Sequence, residues 1–152
     1  MSNKYLDEKV MLINIKGNDC FHALDILGKK LYKEGYVKES YMEAIKKREE
    51  KFATGLPSEG VGVAIPHADI EHVNKPIIGV GILENPVKFR MMGNHHETIS
   101  VEIMFMLALN EHHTQIEMLQ NLMGLIQDKD LLVQIKECKT IKELMNLLED
   151  RI

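Results

Sequence analysis

The sequence predicts an α/β fold: a single domain over residues 1–152 in which a mixed β-sheet carries helices on both faces. Three observations carry that prediction. Apolar runs of strand length alternate along the chain with segments whose apolar residues recur every three or four positions. The run Val101 to Leu109 (VEIMFMLAL) is so continuously apolar that it belongs inside a sheet, buried on both faces. Finally, 152 residues with 45% hydrophobic content suffice for one substantial core, and no linker, repeat or low-complexity segment divides it.

Met11 to Ile15 (MLINI) reads as the first strand. Asn18 and Asp19 then offer N-caps to a helix whose apolar positions are Phe21, Leu24, Leu27 and Leu31, with Gly35 as its stop. Ser40 is placed to cap a second, charged helix through Ala44 and Ile45 to about Lys51, which delivers Arg48 and Glu49 to the loop that follows. Gly55, Pro57, Gly60 and Gly62 mark that loop, and Val61 to Ile65, Lys75 to Leu83 and Val87 to Phe89 read as further strands. Gly93, Asn94 and the polar His95 to Thr98 are expected to form the turn into Val101 to Leu109. Beyond Asn110, Ile116, Leu119, Leu122, Met123 and Ile126 repeat at helical spacing, and a last helix opens at Thr140 with Leu144, Leu147 and Leu148 inward.

Composition excludes several classes of function. A net charge of -4 argues against nucleic-acid binding, which needs a basic face to neutralise phosphates. No segment approaches the roughly 20 apolar residues that span a bilayer, and MSNKYLDEKV has no apolar signal core, so the expectation is a cytoplasmic protein without direct membrane insertion. Cys20 and Cys138 lack the spacing of a zinc site or redox pair and read as reduced thiols.

The chemistry concentrates in GVGVAIPHADIEH. The ring of Pro66 fixes its own backbone angle and holds Ile65 extended, so His67 emerges at a defined strand end. A neutral imidazole hydrogen-bonded through one nitrogen presents the other as a nucleophile, able to carry a phosphoryl group reversibly. Arg48 is the natural complement to phosphoryl oxygens, and Thr54 a hydroxyl donor to them. Spacing alone leaves a second reading open, in which Pro66-His67 is a strand-terminating turn.

The segment REEKFATGLPSEGVGVAIPHADIEH resembles the active-site signature of the fructose- and mannitol-type enzyme IIA superfamily of the bacterial phosphotransferase system, with its arginine-glutamate pair, Thr-Gly-Leu and Ala-Ile-Pro-His in that order. The resemblance runs on through GYVKESY and the leucine-rich C-terminal helices. It implies the mannitol/fructose-type IIA fold, His67 as the phosphorylation site and Arg48 as the residue that binds the phosphoryl group, with no cofactor and no metal. It also implies a pathway: the phosphocarrier HPr as donor, a cysteine of an enzyme IIB as acceptor, and a membrane IIC subunit beyond. Many members carry a second histidine where this chain has Gln115, in QIEML. Glutamine there, with the spacing Phe52-Ala53-Thr54-Gly55, resembles the galactitol-type branch, and Gln115 can still donate an amide N–H to a phosphoryl oxygen.

The other histidines admit two readings each. His112 and His113 lie close enough to the helix start for one to replace the missing histidine, or they form a solvated pair. His95 and His96 sit in the expected turn without a metal-ligand pattern, and His22 and His72 read as structural or surface residues. Met91 and Met92 are candidates for an apolar docking rim. Two other functions stand beside phosphoryl transfer to a transporter: a regulatory phosphoprotein of the nitrogen-type IIA kind, and a metal-binding protein using the histidine pairs.

Overall fold

A computed structural model describes residues 4–58 and 60–152. Its sheet grows from a long hairpin, β4 (Ile77–Met91) and β5 (Asn94–Ala108), paired antiparallel from Ile77 opposite Ala108 to Met91 opposite Asn94. The first strand, β1 (Met11–Ile15), adds to β4 in parallel, and β3 (Gly62–Ala64) adds to β5 in parallel. A two-residue strand, β2 (Gly55–Leu56), pairs antiparallel with β3 and bridges the end of β4 between Gly55 and Met91, so β4, β5, β3 and β2 close a circuit. The sheet is mixed, as expected.

Strand alternation divides the core into two layers. From β5, Ile103, Phe105 and Leu107 join α3 (His112–Ile126), α4 (Lys129–Lys136) and α5 (Ile141–Leu148) on one face. Met104, Met106 and Ala108 join α1 (Cys20–Lys33) and α2 (Ser40–Lys51) on the other. Every residue from Val101 to Leu109 except Glu102 is buried, which explains why this run shows no polar period. The glycine spacing of β4 has a separate cause. A Cβ at Gly79 would lie 2.7 Å from Leu31 and one at Gly81 2.8 Å from Ile15, so these positions let neighbouring side chains lie against bare backbone.

Helix starts follow local chemistry. Asp19 accepts from the His22 N–H, Asp128 from Leu131 and Thr140 from Glu143, each satisfying an otherwise orphaned donor. Ser40 departs from expectation: it lies inside α2, Glu39 takes the cap position without a side-chain bond, and the Ser40 hydroxyl meets His72 Nδ1 at 2.8 Å.

Two further expectations are corrected. Lys75 to Leu83 and Val87 to Phe89 are one strand rather than two; the register shifts between Ile82 and Val87, and the exposed Glu84, Asn85 and Pro86 occupy that irregularity, where a missing N–H breaks no ladder. His95 to Thr98 are strand, not turn, because the hairpin continues as an exposed ribbon and reverses only at Met92 and Gly93. In addition, Lys129–Lys136 form α4, whose Leu131, Leu132 and Ile135 recur at helical spacing behind the Asp128 cap.

The strand that leads to the candidate histidine lies close against β5. An added Cβ at Gly62 would stand 2.0 Å from the Ser100 carbonyl oxygen. Gly62→Ala is therefore expected to destabilise the fold by about 2 kcal/mol through forced backbone displacement. Urea denaturation measures this, and an unchanged midpoint would contradict so close a pairing of β3 and β5.

Candidate active site

Beyond β3 the chain keeps following β5. The Leu107 N–H donates to Pro66 O at 2.9 Å and His67 bridges Leu107 in parallel, so Pro66 contributes the one backbone group it has. The Ile65 N–H donates to Thr54 O at 3.2 Å. These bonds fix the backbone on both sides of Pro66, and the side chain of His67 follows from them. Its Nδ1 lies 2.9 Å from the carbonyl oxygen of Ile65. A carbonyl can only accept, so Nδ1 carries the hydrogen and Nε2 keeps the lone pair. Burial holds the imidazole below its ordinary pKa of 6.5, and nearby Arg48 pushes the same way, against the Ile65 bond and the charge of Asp69. The ring is therefore neutral, with its nucleophilic nitrogen specified.

Arg48 comes from the last turn of α2. Its guanidinium lies over the Phe52 ring at 5.0 Å, and its Nη1 is 3.7 Å from Asp69 Oδ1. The ion pair is loose and part-exposed, and so weak. Its Nε is buried without a hydrogen-bond partner, a donor waiting for an acceptor.

Arg48, Thr54 and His67 line one cleft of about 730 Å³. Thr54 takes a different part from the expected one: its hydroxyl hydrogen goes to Glu49 Oε1 at 2.7 Å and its N–H to Glu49 Oε2 at 2.8 Å. With that hydrogen committed, the Thr54 hydroxyl is not the donor that the sequence placed there. Gln115 does not line the cleft; from the first turn of α3 its Nε2 donates to Ala68 O at 3.4 Å, bracing the segment just after His67.

Several residues of the site are not marked out by the sequence pattern. Ile116 and Met123 share the helical spacing of the buried residues of α3 but are 57% and 42% exposed, and with Phe52, Met92 and Leu119 they form the apolar wall of the cleft. The signal was present: the apolar positions of α3 cover more of its circumference than one buried stripe requires. Met92 is thus on the rim, whereas Met91 does not line the cleft. Glu49 is buried beneath the loop, a place that a charged helix end does not announce.

The remaining histidines lie elsewhere. His112 and His113 are exposed at the start of α3 and do not line the cleft, and His113 Nε2 is 3.8 Å from Glu117 one turn on. His95 Nε2 donates to Lys51 O at 2.9 Å, tying the hairpin to the end of α2. His22 Nδ1 accepts from the Asn18 N–H. Among the described residues no three His, Cys, Asp or Glu side chains form a group that could hold a metal ion, and no helix is long and apolar enough to cross a membrane.

Comparison with known proteins gives this geometry its setting. The family described as "Phosphoenolpyruvate-dependent sugar phosphotransferase system, EIIA 2" matches residues 4–151. The mannitol-specific EIICBA component of Buchnera aphidicola is 29% identical over 145 residues, covering 94% of this chain but 22% of that protein. The chain thus spans about a fifth of the length of the mannitol relatives it matches. The galactitol-specific EIIA component of Escherichia coli is 26% identical over 113 residues, 74% of this chain and 75% of that one. Among solved structures, mannitol IIA of Escherichia coli superposes with a TM-score of 0.78 at 20% identity, covering 93% of this chain and 97% of that one. A structure of enzyme IIA mannitol complexed with phosphorylated enzyme IIB from the same organism gives 0.76 at 21%, with 94% and 96% covered. Nitrogen regulatory protein IIA-Ntr of Neisseria meningitidis gives 0.76 at 19%, with 95% and 96% covered. The mixed sheet with helices on both faces is the fold of these IIA proteins. The match over residues 4–151 shows that the chain belongs to the EIIA type 2 family of the sugar phosphotransferase system, and so is a phosphotransferase component.

Proposed function

We propose that His67 is the phosphoryl acceptor, taking the group from phospho-HPr and passing it to a cysteine of an enzyme IIB that serves a membrane IIC subunit. The observation that carries this reading is the pairing, in one cleft, of a neutral imidazole pinned through Nδ1 with a buried arginine donor that lacks an acceptor. In the transfer, the lone pair of Nε2 attacks phosphorus as the bond to the donor's nitrogen breaks. The Nδ1 proton stays in place, and the Ile65 carbonyl steadies the positive charge that the ring acquires. Arg48 supplies N–H groups to the equatorial oxygens, leaving its weak pairing with Asp69. Transfer to a thiolate repeats these steps in reverse at the nitrogen.

The apolar wall of Phe52, Met92, Ile116 and Met123 surrounds this chemistry with exposed side chains suited to docking two partners in turn. The complex of the mannitol relative with phosphorylated enzyme IIB, and the joining of IIC, IIB and IIA parts in the EIICBA relatives, support the choice of partners. Galactitol or a related polyol is the proposed transported substrate. Its support is the glutamine at position 115 and the Phe-X-Thr-Gly spacing, since identities of 26% and 29% do not separate the galactitol and mannitol relatives. Gln115 acts in this reading by bracing Ala68, the residue that follows His67. The setting is cytoplasmic, where HPr is found. The fold of a nitrogen regulatory IIA protein supports a second reading, in which phospho-His67 controls other proteins. Assaying transfer from the phosphorylated chain to galactitol- and mannitol-type IIB subunits decides between them: transfer to a IIB supports transport, and retention of the label against every IIB supports regulation.

A pH dependence follows from burial. Because the folded pKa of His67 lies below 6.5, the neutral nucleophile persists below that pH and is lost only as pH falls through the depressed value. The same depression means that folding stability declines as pH drops from 6.5, where the unfolded ring begins to take a proton that the folded ring refuses. An NMR titration of the His67 ring should give a midpoint below 6.5, and a midpoint above it would contradict the buried, neutral ring.

A further inference from the structure

We propose that Glu49 is the positioning residue that holds His67 in its Nδ1–H tautomer, acting through Thr54 and Ile65; this rests on the reading of His67 as the phosphoryl acceptor. Glu49 and Thr54 are the two buried polar or charged residues among those described, 5% and 1% exposed. Such a carboxylate is costly to bury unless its oxygens are satisfied, and here a single residue satisfies both. Thr54 brings two donors, its N–H and its hydroxyl, to the same side chain, and an ionised carboxylate accepts at both ends.

The remaining polar group of Thr54, its carbonyl oxygen, receives the Ile65 N–H at 3.2 Å. Ile65 is held extended by the proline behind it, so fixing its N–H fixes the direction of its carbonyl. That carbonyl takes the Nδ1 hydrogen of His67. A continuous path of hydrogen bonds therefore runs from Glu49 to the imidazole, and each link has one sense. Burial holds the pKa of Glu49 above its ordinary value, and the two Thr54 bonds oppose that rise by favouring the ionised form. Glu49 also follows Arg48 directly, so one turn of α2 supplies the phosphoryl ligand and the anchor of the loop facing it.

The test uses the full chain labelled at the histidine nitrogens. Two-bond proton–nitrogen spectra report the tautomer of His67, and transfer from phospho-HPr is measured alongside. Glu49→Ala is expected to move both His67 nitrogens toward averaged shifts and to lower kcat about tenfold with KM for phospho-HPr unchanged, as misplacement of a reacting group does. Glu49→Gln, which still accepts at one end, should shift them less in the same direction. Glu50→Gln removes a neighbouring exposed charge and should leave both readouts at the wild-type value. If Glu49→Ala fails to fold, Glu49→Gln alone decides: a wild-type tautomer there overturns the proposal. So does a folded Glu49→Ala with its tautomer intact, or a Glu50→Gln that shifts equally. If the wild-type chain takes no phosphoryl group while its tautomer still answers to Glu49, the clasp stands and the acceptor reading falls.

Discussion

Replacing His67 by alanine abolishes phosphoryl uptake from phospho-HPr, with incorporation falling to background. The size of the effect follows from the chemistry: no other side chain in the cleft offers an uncharged nitrogen with a lone pair, and the histidine pair at the start of α3 does not line it. The fold survives the change. The bonds that hold this segment to β5 and to Thr54 run through the Leu107 and Ile65 amides and the Pro66 and Thr54 carbonyls, not through the imidazole. Filter-bound radiolabel from phosphoenolpyruvate, enzyme I and HPr provides the measurement, with circular dichroism to confirm the fold. Label retained in the variant would remove His67 from the mechanism.

The second large effect belongs to Arg48. Arg48→Lys keeps a positive charge near Asp69, and the exposed pair is worth little in either form. What lysine lacks is the planar fork, the stacking on Phe52 and the buried Nε–H. Transfer should slow about a hundredfold, the usual cost of removing one preorganised donor from a developing oxyanion. Docking should be little changed, because the surface around the cleft is apolar and built from other residues. Rapid-quench kinetics separate the two: a lower maximal rate at unchanged KM is expected, and an unchanged rate would dismiss Arg48 as a phosphoryl ligand.

What the sequence disclosed, and what it hid, divides along physical lines. Val101 to Leu109 was legible because burial on both faces removes the polar period, and α1 because its leucines recur on one face above an aspartate cap. Two-residue β2 carries no period at all; it exists because the closing circuit brings Gly55 beside Ala64 and Met91. His95 to Thr98 looked like a turn since the ribbon beyond the helical layers is solvated, and polar residues there cost nothing. In the site, Pro66-His67 announced itself through rigidity, and Arg48 through its order in the motif. The partner of Thr54 was not legible, because a hydroxyl's direction is set by whichever acceptor the fold brings near, here Glu49. The division of α3 into core and cleft residues likewise depends on where the strand end and the loop of residues 52–54 meet it.

If the Nε2 nitrogen of His67 carries the phosphoryl group, phosphorus NMR of the wild-type chain, charged with phosphoenolpyruvate, enzyme I and HPr and followed by peptide mapping, will find it there. The expected result is one acid-labile phosphoryl group per chain, on His67, with the shift of an Nε2 phosphohistidine. Phosphate on Nδ1, on another residue, or nowhere in the chain would contradict it.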